Sequence, residues 1–254
     1  MPQLKKGQRV YLIDEIRGFA ILCMVIYHGV YDLLAIFGIS FPFFFSPLMN
    51  GVRTFFAGTF IFISGTACQF SHNNLKRGAI CLGLGLAITL FTALFLPEEL
   101  IVFGILHMLG ISMMLFGLLR PLFQKLHPMV GAAVMLVLFI FTYGVTNGYV
   151  GIPYFWEIPL PDFLYSTSYL FPLGFIPAGF YSADYFSLLP WLFLFFMGSF
   201  VGVYVKEGRF PAPFYRKHSR FLSFVGRKTL IVYVLHQPVL YGLMSLIALL
   251  LPNA

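Results

Sequence analysis

The chain alternates long apolar runs with short polar breaks, and seven of the runs reach the length of about 20 residues that crosses a hydrocarbon core. They lie near 15–37, 52–70, 79–97, 100–119, 129–147, 186–205 and 229–251. An eighth stretch, FLYSTSYLFPLGFIPAGFY at 163–181, is apolar enough to span but carries Pro172, Pro177, Gly174 and Gly179.

Basic residues arbitrate the eighth stretch. If it does not cross and the amino terminus is cytoplasmic, Lys5, Lys6, Arg9, Lys76, Arg77, Arg120, Lys125, Lys206, Arg209, Arg216, Lys217, Arg220, Arg227 and Lys228 all share the cytoplasmic side. Only Arg17 and Arg53, at span edges, are left over. A crossing would export the seven cations from Lys206 to Lys228, against the positive-inside bias. The pattern therefore predicts an all-α integral membrane protein. Its helix bundle has about seven transmembrane helices in a single domain over 1–254, with the amino terminus in and the carboxyl terminus out. Residues 148–185 become an outer aromatic and Pro-rich loop with a re-entrant or surface-lying piece, because irregular backbone at membrane depth needs protein or a water-filled cavity around it.

Composition narrows the class further. With 59% hydrophobic and only 10% charged residues, no soluble domain fits between the spans. The net charge of +7 would suggest nucleic acid in a soluble chain; here the cations gather at span ends, where topology and anionic lipid explain them. Cys23, Cys68 and Cys81 sit in or beside apolar runs without metal-ligand spacing, so neither a disulfide framework nor a metal site is indicated. The first run lacks a small-residue cleavage site and starts with Asp14, Glu15 and Arg17, so it is expected to remain as a span.

That first span holds the candidate chemistry, in RGFAILCMVIYHG at 17–29. From Arg17 to His28 a helix advances about 16 Å and turns three times plus about 20°, which puts both on one face. Asp14 falls on nearly the same face a turn below, and Asp32 stands at i+4 from His28. Singly, Arg17 could snorkel, Asp32 could pair with Arg53 and His28 could pack. Together they suit a ligand with an anionic head and a long thin arm, since a guanidinium forks onto phosphate and a neutral imidazole takes a proton.

The spacing of arginine, ten residues and histidine in DEIRGFAILCMVIYHGVYDL resembles the motif of the transmembrane acyltransferases. That superfamily includes the acyltransferase-three O-acetylating enzymes and heparan-alpha-glucosaminide N-acetyltransferase, whose small bacterial branch the chain looks most like. FIFISGTA at 60–67, LKRGAICLGLGLAITLFT, FGILHMLG at 103–110, DYFSLLPWLFLFFMG at 184–198 and VGRKTLIVYVLHQPVL at 225–240 agree in order. The resemblance implies a multi-pass protein of the bacterial plasma membrane that uses acetyl-CoA, or another acyl-CoA, as donor from the cytoplasm. The acceptor would be a hydroxyl or amine of a sugar or glycan reached from the other side, with no metal required. By that analogy Arg17 holds the CoA head, with Asp14 beside it, and His28 acts at the thioester as base or nucleophile. Glycosaminoglycan specificity is not implied, because the chain is far shorter than the lysosomal enzyme and shows no lumenal domain.

Other polar residues extend the candidate set. His107 lies at a depth near that of His28 and could be a second acid or base at the same site, or a packing histidine. His236, in LHQP before Pro238, could line the donor tunnel or cap a kink. Asp184, Trp191 and Arg53 mark outer ends of spans and could surround the acceptor, with Asp32 orienting the His28 imidazole. His72, His127 and His218 fall in expected cytoplasmic loops and are given no role. The competing class is a proton- or ion-coupled secondary transporter using the same intramembrane Arg, His and Asp. It would be expected to show interrupted helices in repeated halves, and the sequence shows none. Membrane lipid is an expected partner and a homo-oligomer a possible state; nucleic acid is not expected.

Overall fold

The computed structural model describes residues 9–250. Lys5 and Lys6, counted above with the cytoplasmic cations, and residue 251 of the last expected span lie outside them. Eight α-helices run in chain order: α1 Tyr11–Phe37, α2 Pro47–Cys68, α3 Asn74–Phe95, α4 Ile105–Phe123, α5 Pro128–Phe141, α6 Leu188–Lys206, α7 Arg220–Arg227 and α8 Thr229–Leu250. The antiparallel strands β1 Tyr149–Ile152 and β2 Trp156–Pro159 form a hairpin between α5 and α6.

All of these helices except α7 are long and apolar enough to cross a membrane, α5 counted with the 3-10 turn that follows it. Seven spans is therefore the observed number among the described residues. The stretch at 163–181 contains no spanning helix; it folds into 3-10 turns at Asp162–Leu164 and Phe171–Leu173 joined by irregular backbone. Its prolines and glycines explain this, since Pro172 and Pro177 lack the N–H that a helix gives to the carbonyl four residues back, and at membrane depth that carbonyl would be left without a donor.

The chain divides into two compact units, one over residues 64–209 and the other over 9–63 with 210–250. In the first unit α3 packs chiefly on α4, and α5 on α6. Glycine makes the α3–α4 approach close: a Cβ on Gly78 would stand 2.6 Å from the Gly110 carbonyl oxygen. Small residues serve this purpose in lipid, where no hydrophobic force separates helix contacts from lipid contacts. The loop before α6 is pinned to the turn before α4 by Ala183 N–H to Leu100 O at 2.9 Å and Phe186 N–H to Phe103 O at 3.0 Å.

In the second unit α1 is the hub, packed on α7 and α8. The α1–α7 crossing needs glycine on both sides, because a Cβ at Gly18 would enter the Leu222 carbonyl and one at Gly226 the Asp14 carbonyl. Gly38 ends α1 in the left-handed conformation at φ 63°, which an L side chain adopts reluctantly. The expected basic loop at 206–228 is thus partly helical: α7 turns Phe221 and Phe224 outward beside exposed Arg220 and Arg227 while burying Ser223, Val225 and Gly226.

Candidate active site

The polar stripe of α1 meets α7 and α8 along its length. At its start Asp14 Oδ2 binds Arg9 Nε at 2.6 Å. Glu15, only 4% exposed, accepts the backbone N–H groups of His218 and Ser219 at 2.8 and 3.0 Å, so its carboxylate caps the start of α7. Arg17 donates from Nη2 to Thr229 Oγ1 at 2.8 Å, tying it to the first residue of α8.

Eleven residues further along α1, His28 lies against His236 of α8, ring centroids 5.1 Å apart at 61°. His236 Nδ1 sits 2.5 Å from the Tyr233 carbonyl oxygen. A carbonyl only accepts, so Nδ1 carries the proton and Nε2 the lone pair. No hydrogen-bond partner is placed on either ring nitrogen of His28 among the described residues. One turn on, buried Asp32 receives Gln237 Nε2 on both oxygens, at 2.9 and 3.1 Å. Asp32 thus grips α8 next to His236.

Beside His28, Tyr27 stacks on Phe44 with centroids 4.7 Å apart. Tyr27, Phe44, Phe45, Pro47, Asn50 and Arg53 line a cleft of about 330 Å³, the lower end of the range for small-ligand sites. Arg53 Nη2 donates to Asn50 Oδ1 at 2.8 Å, so Arg53 is held by Asn50 and Asp32 by Gln237.

The first unit treats its histidine differently. His107 Nδ1 accepts the Gly104 N–H at 3.2 Å, which leaves Nε2 as the protonated nitrogen, 3.3 Å from Thr89 Oγ1. Thr89 in turn donates its hydroxyl hydrogen bond to the Ile101 carbonyl at 2.6 Å. The ring is 3% exposed, stacked on Phe103, and lies over Gly85, where a Cβ would stand 2.9 Å away. Asp184 joins the same turn, its Oδ2 accepting the Ile105 N–H at 3.1 Å. Both residues therefore satisfy backbone donors at the start of α4, the groups a helix leaves without internal partners. Trp191 lies between the rings of Phe139 and Phe186, with centroids at 5.9 and 5.6 Å. Nearby, Tyr185 donates to Phe171 O at 2.5 Å; burial pushes its hydroxyl up to about 12, against a smaller opposing effect of the Ser187 side chain. Among the described residues no cluster of three or more His, Cys, Asp or Glu is placed to hold a metal ion.

The family model described as heparan-alpha-glucosaminide N-acetyltransferase, catalytic, matches residues 9–238. The chain belongs to this family. No curated protein and no solved structure matches it. As a heparan-alpha-glucosaminide N-acetyltransferase catalytic-type protein it is a membrane acetyltransferase in general terms, and acetyl-CoA is the family's general donor. The match runs from Arg9 to Pro238, so it takes in α1 and the first turns of α8, where the stripe and its partners lie. Four residues of this arrangement have no role in the sequence reading: Glu15, Thr229, Gln237 and Thr89. Gln237 had a signal, being an amide in an apolar span beside a histidine; the others are ordinary at their positions until their partners are known.

Proposed function

We propose that the protein transfers an acetyl group from acetyl-CoA, entering at the cytoplasmic end of α1, to a hydroxyl or amine of a sugar acceptor reached from the opposite side. His28 is the base. The observation that carries the proposal is the contrast between two histidines: both nitrogens of His107 are committed to holding a turn, while those of His28 have no described partner.

In this reading Arg17, fixed by Thr229 at the amino-terminal end of α8, contributes its charge to the CoA phosphates, and the exposed Arg227 and Lys228 adjoin that helix end. Oriented amides at a helix start favour anions, which adds to the guanidinium. Asp14 acts on the donor side by keeping Arg9 at the same end of α1. The arm then follows the α1 face for about 16 Å to His28. There the imidazole takes the proton of the acceptor hydroxyl or amine as it attacks the thioester carbonyl; the C–S bond then breaks and the imidazolium returns the proton to the departing sulfur, so that CoA leaves as the thiol and the base is restored. His236 backs the ring, and the cleft with Tyr27, Phe44, Asn50 and Arg53 receives the acceptor, an aromatic platform with polar donors at its edge. His107 and Asp184 hold the start of α4, and Trp191 packs on Phe186 of the loop before α6.

The test is labelled acetyl transfer from acetyl-CoA by purified protein, paired with CoA titration. Arg17→Ala is expected to weaken CoA binding about tenfold or more, the size of a lost charge-assisted phosphate contact, and His28→Ala to bind CoA normally without turnover. Unchanged CoA affinity in the Arg17 variant removes that residue from the donor site.

A further inference from the structure

We propose that Gln237 Oε1 binds the acceptor, taking a hydrogen bond from one of its hydroxyl or amine groups; the inference rests on the acetyl-transfer reading above. Asp32 orients the amide. A carboxylate accepts hydrogen bonds, so it turns the NH2 group toward itself, and Nε2 lies 2.9 Å from Oδ1 and 3.1 Å from Oδ2. Oε1 consequently faces away from Asp32. It is buried, and no donor among the described residues reaches it. A buried amide oxygen calls for a hydrogen-bond donor, and none of the described protein groups supplies it.

Its level along the helices identifies the source. Gln237 follows His236, the residue packed on His28, and its side chain is drawn toward Asp32, which lies four residues beyond His28 on the side away from Arg17, about 6 Å along α1. A donor arm that starts at Arg17 and ends with its thioester at His28 stops short of this level. An acceptor approaching His28 from the other end of the helix passes it. A sugar carries hydroxyls next to the reacting group, and Gln237 is placed to read one of them; a purely apolar amine or alcohol would leave the oxygen bare. Asp32 is then a positioning residue, acting on the acceptor through Gln237.

Two variants separate binding from anchoring. Gln237→Met removes both halves of the amide, whereas Gln237→Lys keeps a donor for Asp32 and removes the accepting oxygen. Initial rates are measured with acetyl-CoA as donor and glucosamine as acceptor probe. Both variants are expected to raise the glucosamine KM about tenfold, the size of one hydrogen bond, and to leave the acetyl-CoA KM within about twofold. A lysine variant with wild-type KM values shows that the residue only anchors Asp32 and overturns the assignment. A rise confined to the acetyl-CoA KM places the contact on the donor arm and overturns it too. Absence of any transfer by the wild-type chain is a separate result, which overturns the acetyl-transfer reading and this inference with it.

Discussion

The His28 and His236 rings meet with centroids 5.1 Å apart, one on each of two packed helices, and His236 is locked in its tautomer by the Tyr233 carbonyl. The locked ring fixes the position of its neighbour without taking its nitrogens. His28→Ala is expected to lower kcat by about 10²-fold or more, the range of a lost general base, with CoA affinity retained. His236→Phe keeps an aromatic wall and should cost far less. Single-turnover transfer on both variants checks the order; equal losses would make the two residues a joint catalytic pair.

His107 is expected to behave as a structural residue. His107→Ala leaves the Gly104 N–H and the Thr89 hydroxyl without their ring partner in a buried turn, a loss of about 2–4 kcal/mol. Thermal unfolding in detergent should show the loss, and Thr89→Val should show a smaller one. Protein that remains folded should keep its kcat. A folded His107 variant without turnover would return this residue to the chemistry.

Glu15 secures α7 to α1 through two backbone N–H groups and the His218 ring, 3.3 Å from Oε2. Glu15→Ala is expected to cost about 1–3 kcal/mol, and Glu15→Gln less because it still accepts. Gly18→Val should be at least as severe, since its side chain would enter the Leu222 carbonyl. Because both changes act beside Arg17, CoA binding should weaken along with the melting temperature. Hydrogen exchange over Arg220–Arg227 measures the helix directly.

Tyr185 supplies a pH dependence outside the spans. Its pKa, pushed up to about 12 by burial, exceeds the ordinary value of about 10. The folded state thus holds the proton over a range in which the unfolded chain has lost it. The stability it contributes is fully present below about pH 10 and is lost as pH rises toward about 12. Tyrosinate absorbance of wild type minus Tyr185→Phe should show one group titrating near the upper value. Titration near pH 10 would mean that the loop before α6 does not bury this hydroxyl.

The seven spans were legible because each is a long apolar run, and the cations correctly argued against a crossing at 163–181. The shared face of Arg17, His28 and Asp32 followed from helix periodicity alone. The partners of that face were not legible, because Thr229 and Gln237 reach it from more than 200 positions away in the chain. The same blindness applies to α7, whose eight residues are too few and too polar for hydropathy to separate from a basic loop. The sequence could also offer His107 only as acid, base or packing group; the backbone N–H of Gly104 on Nδ1 is a tertiary fact that no spacing encodes.

The most direct measurement uses vesicles in which the protein has one known orientation, with labelled acetyl-CoA only on the side of Lys217 and glucosamine only on the side of Tyr154. Membrane-impermeant labelling of Lys217→Cys and Tyr154→Cys defines the two sides. The account predicts acetylated glucosamine on the Tyr154 side, a rate lower by about 10²-fold or more with His28→Ala, and a falling rate as acid protonates the imidazole. Transfer that appears only when both substrates are on the Lys217 side, or that keeps its wild-type rate after loss of His28, would contradict it.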